Sequence, residues 1–327
     1  MEKLIISSSP HVHTNKTTRD IMLDVIIALL PAAIAGCVIF GWKALLTIGV
    51  CVSTSVLAEF IFNLICKKKQ TVGDLSAIVT GLLLALNLPA ISISQNGLQE
   101  DITKTIVQTV FISIVGSVFA IIVVKCLFGG LGCNFANPAI TSRVLLLLSF
   151  PVLSSTIAPH FSSAPELVSG ATPLPVLQNH GELPSLLDMF LGLRGGAIGE
   201  TCGLALVLGF IYLVARKVIH IETPLIFVGT VFLLSLAYEG DLLFATYHIL
   251  SGGLLIGAIF MATDYVTTPI TRSGKMIFAF GCGLITFLIR YFGGYPEGVS
   301  FAILFMNILS PYIEKWTKKI PLGGSKA

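Results

Sequence analysis

Ten apolar runs, each close to the length of a bilayer-crossing helix, follow one another with short polar breaks. Their approximate limits are 21–40, 43–66, 74–94, 105–125, 138–158, 197–215, 223–239, 242–262, 276–291 and 298–314. About 20 apolar residues in a helix cross the roughly 30 Å hydrocarbon core of a membrane. A soluble domain has no means of hiding ten such stretches. Only 11% of the 327 residues are charged, against about 25% in a soluble domain, too few to clothe a chain of this size in water. Disorder is excluded by the same numbers, since it needs low hydrophobicity and high charge. The expected fold is an all-α polytopic membrane protein.

The few charges are unevenly placed, and basic residues collect on the cytoplasmic side of membrane proteins. With the N-terminus inside, the cytoplasmic segments hold 15 of the 20 Lys and Arg. Lys43, Lys104, Arg194 and Arg290 remain outside, and Arg143 lies within the fifth span. That split favours ten spans with both termini cytoplasmic. The expected division is a cytoplasmic segment 1–20, a five-helix half 21–158, an extracytoplasmic loop 159–196, a second five-helix half 197–314 and a tail 315–327. An odd number of spans per half makes the halves opposite in orientation, the inverted repeat found among transporters. Phe128-Gly129-Gly130 after the fourth span and Phe292-Gly293-Gly294 after the ninth are a faint trace of it. Residues 1–20 are polar, without the apolar core of a secretion signal.

The long loop carries Glu166-Leu167-Val168-Ser169-Gly170-Ala171-Thr172-Pro173-Leu174-Pro175. Gly170 and Ala171 leave little bulk beside Thr172, and the two prolines stiffen the chain behind it. The Thr172 hydroxyl is thereby presented openly. Read alone, the stretch is also what a capped turn at a helix end looks like.

Acidic-x-x-Ser-Gly-Ala-Thr resembles the motif on which a flavin transferase esterifies FMN phosphate to a threonine hydroxyl. Further blocks resemble the same proteins: Ser8-Ser9-Pro10-His11, Asp74 to Pro89, Lys125 to Ala139, His248 to Thr271, and Ile289 to Asn307. Together they run through nearly the whole chain in order. The chain is thus similar to the RnfD/NqrB family, and most to the D subunits of Rnf ion-translocating electron-transport complexes. Where that family usually has Asp in the motif, this chain has Glu166. The relatives in the sodium-translocating NADH:quinone reductase, its B subunits, usually carry a longer N-terminal region than the twenty or so residues here.

The resemblance implies FMN held covalently at Thr172, with Ser169, Gly170 and Ala171 around it, and a second, non-covalent flavin of riboflavin type within the bundle, which no motif locates. It implies a bacterial cytoplasmic-membrane complex that also contains the A, B, C, E and G subunits. Ferredoxin and NAD(H) would be bound by those partners, and the transferase would act during maturation. Electron transfer from ferredoxin to NAD would then be coupled to Na+ or H+ translocation. A component of the quinone-reductase type, a flavin-free inverted-repeat channel or transporter, and a scaffold for redox partners are the competing readings.

Charged groups inside spans are functional candidates by default, because their burial is costly. Asp24 in the first span and Glu59 in the second are candidates for ion handling. Asp24, like Glu200 at the start of the sixth, lies near an end and is open to solvation. Glu59 is within reach of Lys67 by snorkelling. Arg143, just past the Asn137-Pro138 break, reads either as a cofactor partner or as a clamp between helices. Arg290 and Tyr295 on the outer side read as part of an FMN pocket, by charge and stacking, or as headgroup anchors. The seven cysteines contain no CxxC pair and read as packing thiols. His11-x-His13 lacks the further ligands a metal site needs, and the scattered basic residues form no nucleic-acid patch.

Overall fold

The computed structural model describes residues 17–90, 94–95, 99–100, 102–150, 153, 174, 177, 184–293 and 297–318. The FMN motif from Glu166 to Thr172, and Tyr295, lie outside the described residues.

The described residues form a helical bundle, with one small hairpin, that reads as a multi-pass membrane protein. Helix α1 (Thr18–Phe40) opens with a capping box: the Thr17 side chain accepts from the Asp20 amide, and the Asp20 carboxylate takes the Thr17 amide. That satisfies two donors which a helix start otherwise leaves orphaned. A glycine with φ +69°, Gly41, turns the chain directly into α2 (Trp42–Ile65). After a 3-10 turn at Val72–Asp74 comes α3 (Ser76–Leu86), then a small hairpin pairing Ser94–Gln95 with Gln99–Glu100. Helix α4 (Ile102–Val118) continues as π-helix through Phe119–Cys126, and α5 spans Pro138–Ser149 with Asn137 as its cap and Pro138 in its first turn.

A short α6 (Leu186–Leu191) precedes α7 (Gly203–Ala215) and α8 (Glu222–Glu239). Next, α9 (Leu242–Leu250) and α10 (Leu254–Met261) meet at a 66° bend. Helices α11 (Arg272–Phe292) and α12 (Val299–Thr317) complete the bundle.

Among the described residues five helices, α1, α2, α4 with its π extension, α8 and α11, are long and apolar enough to cross a membrane. The bent α9–α10 pair makes a sixth if taken as one span. The expected third, fifth and sixth spans contain only the shorter helices α3, α5 and α7. The third, expected to reach residue 94, ends its helix at Leu86. Here the backbone leaves the helix because another segment takes up its polar groups. The Ile198 amide donates to Leu88 O at 3.0 Å, the Gly199 amide to Leu86 O at 2.7 Å, and Pro89 bridges to Ala197. Irregular backbone inside a membrane protein requires such partners.

The packing has a recurrent plan. Helix α2 lies on α3 and α4, and α8 lies on α9 and α11; α1 packs on α7, and α5 on α12. Close approach depends on small residues. A Cβ on Gly209 of α7 would stand 2.3 Å from Ala28 O of α1, and one on Gly81 of α3 would stand 2.8 Å from Cys51 O of α2. Small residues of this kind let helix backbones meet within a membrane.

Candidate functional site

Two polar centres lie at opposite ends of the bundle, and both are built on breaks in helices. The first adjoins a cavity of about 770 Å3, open mouth included, between α1, α3 and α5 on one side and α7 and α10 on the other. Small-molecule sites combine apolar walls with a few polar groups. Val25, Leu83, Leu213 and Phe260 supply the walls, while Lys125, Asn134, Asn137, Thr263 and Asp264 supply the polar points. Asn134 Oδ1 is buried there without a hydrogen-bond partner, although native proteins rarely leave such an atom unpaired.

A buried ion pair adjoins the cavity. Lys125, at the end of the π segment, donates to Glu59 Oε2 at 2.9 Å and to Ser76 Oγ at 2.6 Å. Both charged side chains are 2% exposed. Glu59 Oε1 accepts from Thr71 Oγ1 at 2.6 Å, and Asn63 Nδ2 donates to that same hydroxyl at 3.0 Å. Glu59 therefore pairs with Lys125, 66 positions away, and not with its sequence neighbour Lys67. Nearby, half-buried Asp264 accepts from the Val266 amide and the Thr267 hydroxyl, and burial pushes its carboxyl above the usual range.

Asp24 is buried rather than solvated at a helix end. Its Oδ1 accepts from Tyr212 Oη at 2.9 Å and from Arg216 Nε at 3.1 Å, tying α1 to the end of α7.

At the opposite end, the second centre gathers three arginines and two glutamates. Arg143 of α5 donates to Asn87 Oδ1 at 2.5 Å and to Glu297 Oε2, and stands 3.9 Å from Glu200 Oε2. Glu297 Oε1 accepts from the Gly253 amide at 3.0 Å, in the gap between α9 and α10. Glu200, 4% exposed, is buried and not solvated as its position near a span end suggested; its Oε1 accepts from the Ala197 amide. Arg194 donates to Glu200 O, with its Nε and Nη1 buried and unpartnered. Arg290 is 1% exposed and donates to His248 O at 2.6 Å and Ser251 O at 3.0 Å, carbonyls at the end of α9. A cation at a helix C-terminus is favoured by the helix dipole.

The structure thus brings Arg143 and Arg290 into one region and keeps Glu59 and Asp24 in separate pairs. Lys125, Asn134, Glu297 and Asp264 were not singled out as site residues from the sequence. Lys125 counted there only as one of the cytoplasmic basic residues. Among the described residues no group of three or more His, Cys, Asp and Glu is placed to hold a metal.

A helical multi-pass membrane protein whose broken helices enclose buried charge networks and an internal cavity is the class that fold and sites define. The chain belongs to the NQR2, RnfD, RnfE family, whose profile matches residues 5–323. It is 44% identical over 327 residues to the D subunit of the Na(+)-translocating ferredoxin:NAD(+) oxidoreductase complex of Acetobacterium woodii, covering 99% of this chain and 96% of that one. The D subunit of the Proton-translocating ferredoxin:NAD(+) oxidoreductase complex of Clostridium ljungdahlii is 40% identical over 97% of this chain and 96% of its own length. The D subunit of the Ion-translocating oxidoreductase complex of Stutzerimonas stutzeri is 38% identical over 90% and 89%.

Proposed function

We propose that this chain is the flavin-bearing D subunit of an Rnf-type membrane complex, relaying electrons while the complex moves Na+ or H+ during ferredoxin:NAD electron transfer. The observation that carries this is the end-to-end likeness to D subunits of such complexes, at 44% and 40% identity. The chain works with the other Rnf subunits (A, B, C, E and G), and ferredoxin and NAD(H) bind to those partners.

In this reading the ten spans form two inverted halves in the cytoplasmic membrane, with the termini inside and the 159–196 loop outside. The recurrent packing supports it: α2 with α3 and α4 matches α8 with α9 and α11, and the cross-pairs α1–α7 and α5–α12 join like-numbered spans of the two halves. Thr172 carries FMN by a phosphoester, installed by a flavin transferase, with Ser169, Gly170 and Ala171 as the recognition loop. Arg143, Arg290 and Tyr295 are the candidate residues toward that flavin. The three arginines near Glu200 and Glu297 leave one net positive charge in a buried region, which favours an anionic neighbour.

The cavity between the halves suits the second, non-covalent flavin. Its apolar walls match the faces of an isoalloxazine ring, and the unpaired Asn134 Oδ1, Asn137 and Lys125 match the ring's polar edge. A flavin there supplies one- and two-electron transfer, while the protein holds it and sets its electronics. With one flavin on the outer loop and one at the inner end, two stations divide a crossing of about 30 Å.

The test is direct. Under ultraviolet light a denaturing gel of the complex, from cells that have the transferase, shows a fluorescent band for this chain that Thr172→Ala abolishes. Denaturation of that same Thr172→Ala complex still releases free flavin. A dark wild-type band refutes the covalent site; no released flavin refutes the second seat.

A further inference from the structure

We infer that Lys125 is the proton donor to the cavity between the halves, fed from the Thr71–Asp74 turn through Glu59 and Ser76. This rests on the proposed seating of a flavin in that cavity. Lys125 is 1% exposed, yet its side chain lines the cavity wall. Its ammonium has three N–H donors, of which Glu59 and Ser76 take two. The third is left for whatever occupies the cavity.

Two oriented chains lead away from it. Ser76 Oγ accepts from Lys125 and donates to Asp74 Oδ1 at 2.5 Å. Thr71 Oγ1 donates to Glu59 Oε1, whose other oxygen holds Lys125. Every link is an ammonium, carboxylate or hydroxyl, the groups that pass protons, and no link exceeds 2.9 Å. Both chains end on the turn at the surface, where Thr71 is exposed and Asp74 half-buried. The turn that holds Asp74 beneath Ser76 requires Leu75 at φ +65°, a conformation that costs a non-glycine residue energy and marks functional sites. The π turn that delivers Lys125 is a second irregularity of that kind.

A merely structural pair needs none of this. A buried ion pair adds little stability over apolar residues of similar volume, and arginine would hold Glu59 with better geometry. Lysine differs from arginine in being able to lose its proton in such surroundings. The other titratable groups around it include Asp264 and Tyr265 across the cavity, Cys126 beside it with Lys68 and Cys66 beyond, and Asp74 on the turn.

The step balances. Complete reduction of a flavin takes two electrons, from a reduced iron–sulfur or flavin donor in the complex, and two protons. For each proton that a flavin seated there would take up, Lys125 would give one ammonium proton and be left as a neutral amine. The amine would regain it as Glu59 passes on the proton it takes from the Thr71 hydroxyl, or as Ser76 gives its hydroxyl proton to the amine and takes one from an Asp74 that solvent has first protonated; in either case the last group of the chain is reprotonated by solvent.

The experiment uses the purified complex, reduced in a stopped-flow instrument with a pH indicator, comparing wild type with Lys125→Arg. Arginine keeps the charge on Glu59 but yields no proton. The expected result, normalised to the flavin each complex releases on denaturation, is proton uptake slowed about 100-fold or more and a reduced flavin absorbing as its anion. Lys125→Met with Glu59→Gln, which removes both charges together, gives the same spectrum. Wild-type proton uptake per released flavin in Lys125→Arg overturns the relay alone. A wild-type complex that releases no free flavin overturns the seat and the relay together.

Discussion

Replacing Arg143 with Met tests whether the arginine–glutamate centre holds the bundle together. The substitution keeps most of the length of the side chain and removes a guanidinium shared by Asn87, Glu297 and Glu200. The side chains of Arg143 and Glu200 are 5% and 3% exposed and that of Glu297 is 19%, so water cannot replace the lost partner. Removing one member of a buried pair costs about 3–5 kcal/mol. At about 1.4 kcal/mol per tenfold, the folded-to-unfolded ratio falls by about two to three and a half powers of ten. Neutralising the partner as well, in Arg143→Met with Glu297→Gln, removes most of the uncompensated charge and brings the cost below about 2 kcal/mol. The assay is unfolding in detergent micelles followed by circular dichroism, run as a double-mutant cycle. A loss under about 1 kcal/mol in the single variant, or additive losses in the double, would refute the reasoning.

Gly209→Ala puts a methyl group 2.3 Å from Ala28 O and 2.9 Å from Phe260 Cζ. It is expected to cost about 1–3 kcal/mol by overpacking, read as a lower midpoint in the same unfolding assay. Asp264→Asn is expected to gain stability relative to wild type as pH rises. Burial raises the folded-state pKa of Asp264 above its unfolded value. Its contribution is therefore complete below the unfolded pKa and is lost as pH climbs through the folded one. Thermal midpoints of both proteins at about pH 5 and pH 8 check the sign, which fails if wild type gains on the variant as pH rises.

How much was legible in the sequence depended on whether a feature is local. Helices α1, α2, α4 and α11 are sustained apolar runs and stand where those runs stand. The early ends of α3 and α5 were not legible, because apolar composition continues past them. What stops α3 is pairing of Leu86 and Leu88 with Gly199 and Ile198, far along the chain. Partners of charges were hidden for the same reason. Lys67 is near Glu59 in sequence, but Lys125 is near it in space. The 154 positions between Arg143 and Glu297 hold no local pattern that announces the contact. The motif around Thr172 is the converse case: it is short and continuous, so its resemblance to a flavin-carrier motif can be seen in the sequence, although residue types alone fit a capped helix turn as well.

The bend between α9 and α10 bears on how the protein is made. At about 1.5 Å per residue, the nine residues of α9 and eight of α10 span about 13 Å and 12 Å, and neither alone crosses the hydrocarbon. Their facing ends are closed by Arg290 and by Glu297, which are synthesised later. The bend is thus completed only by residues that follow it in the chain, and a chain cut before Arg290 would lose the side chains that take up the polar groups at both of its facing ends.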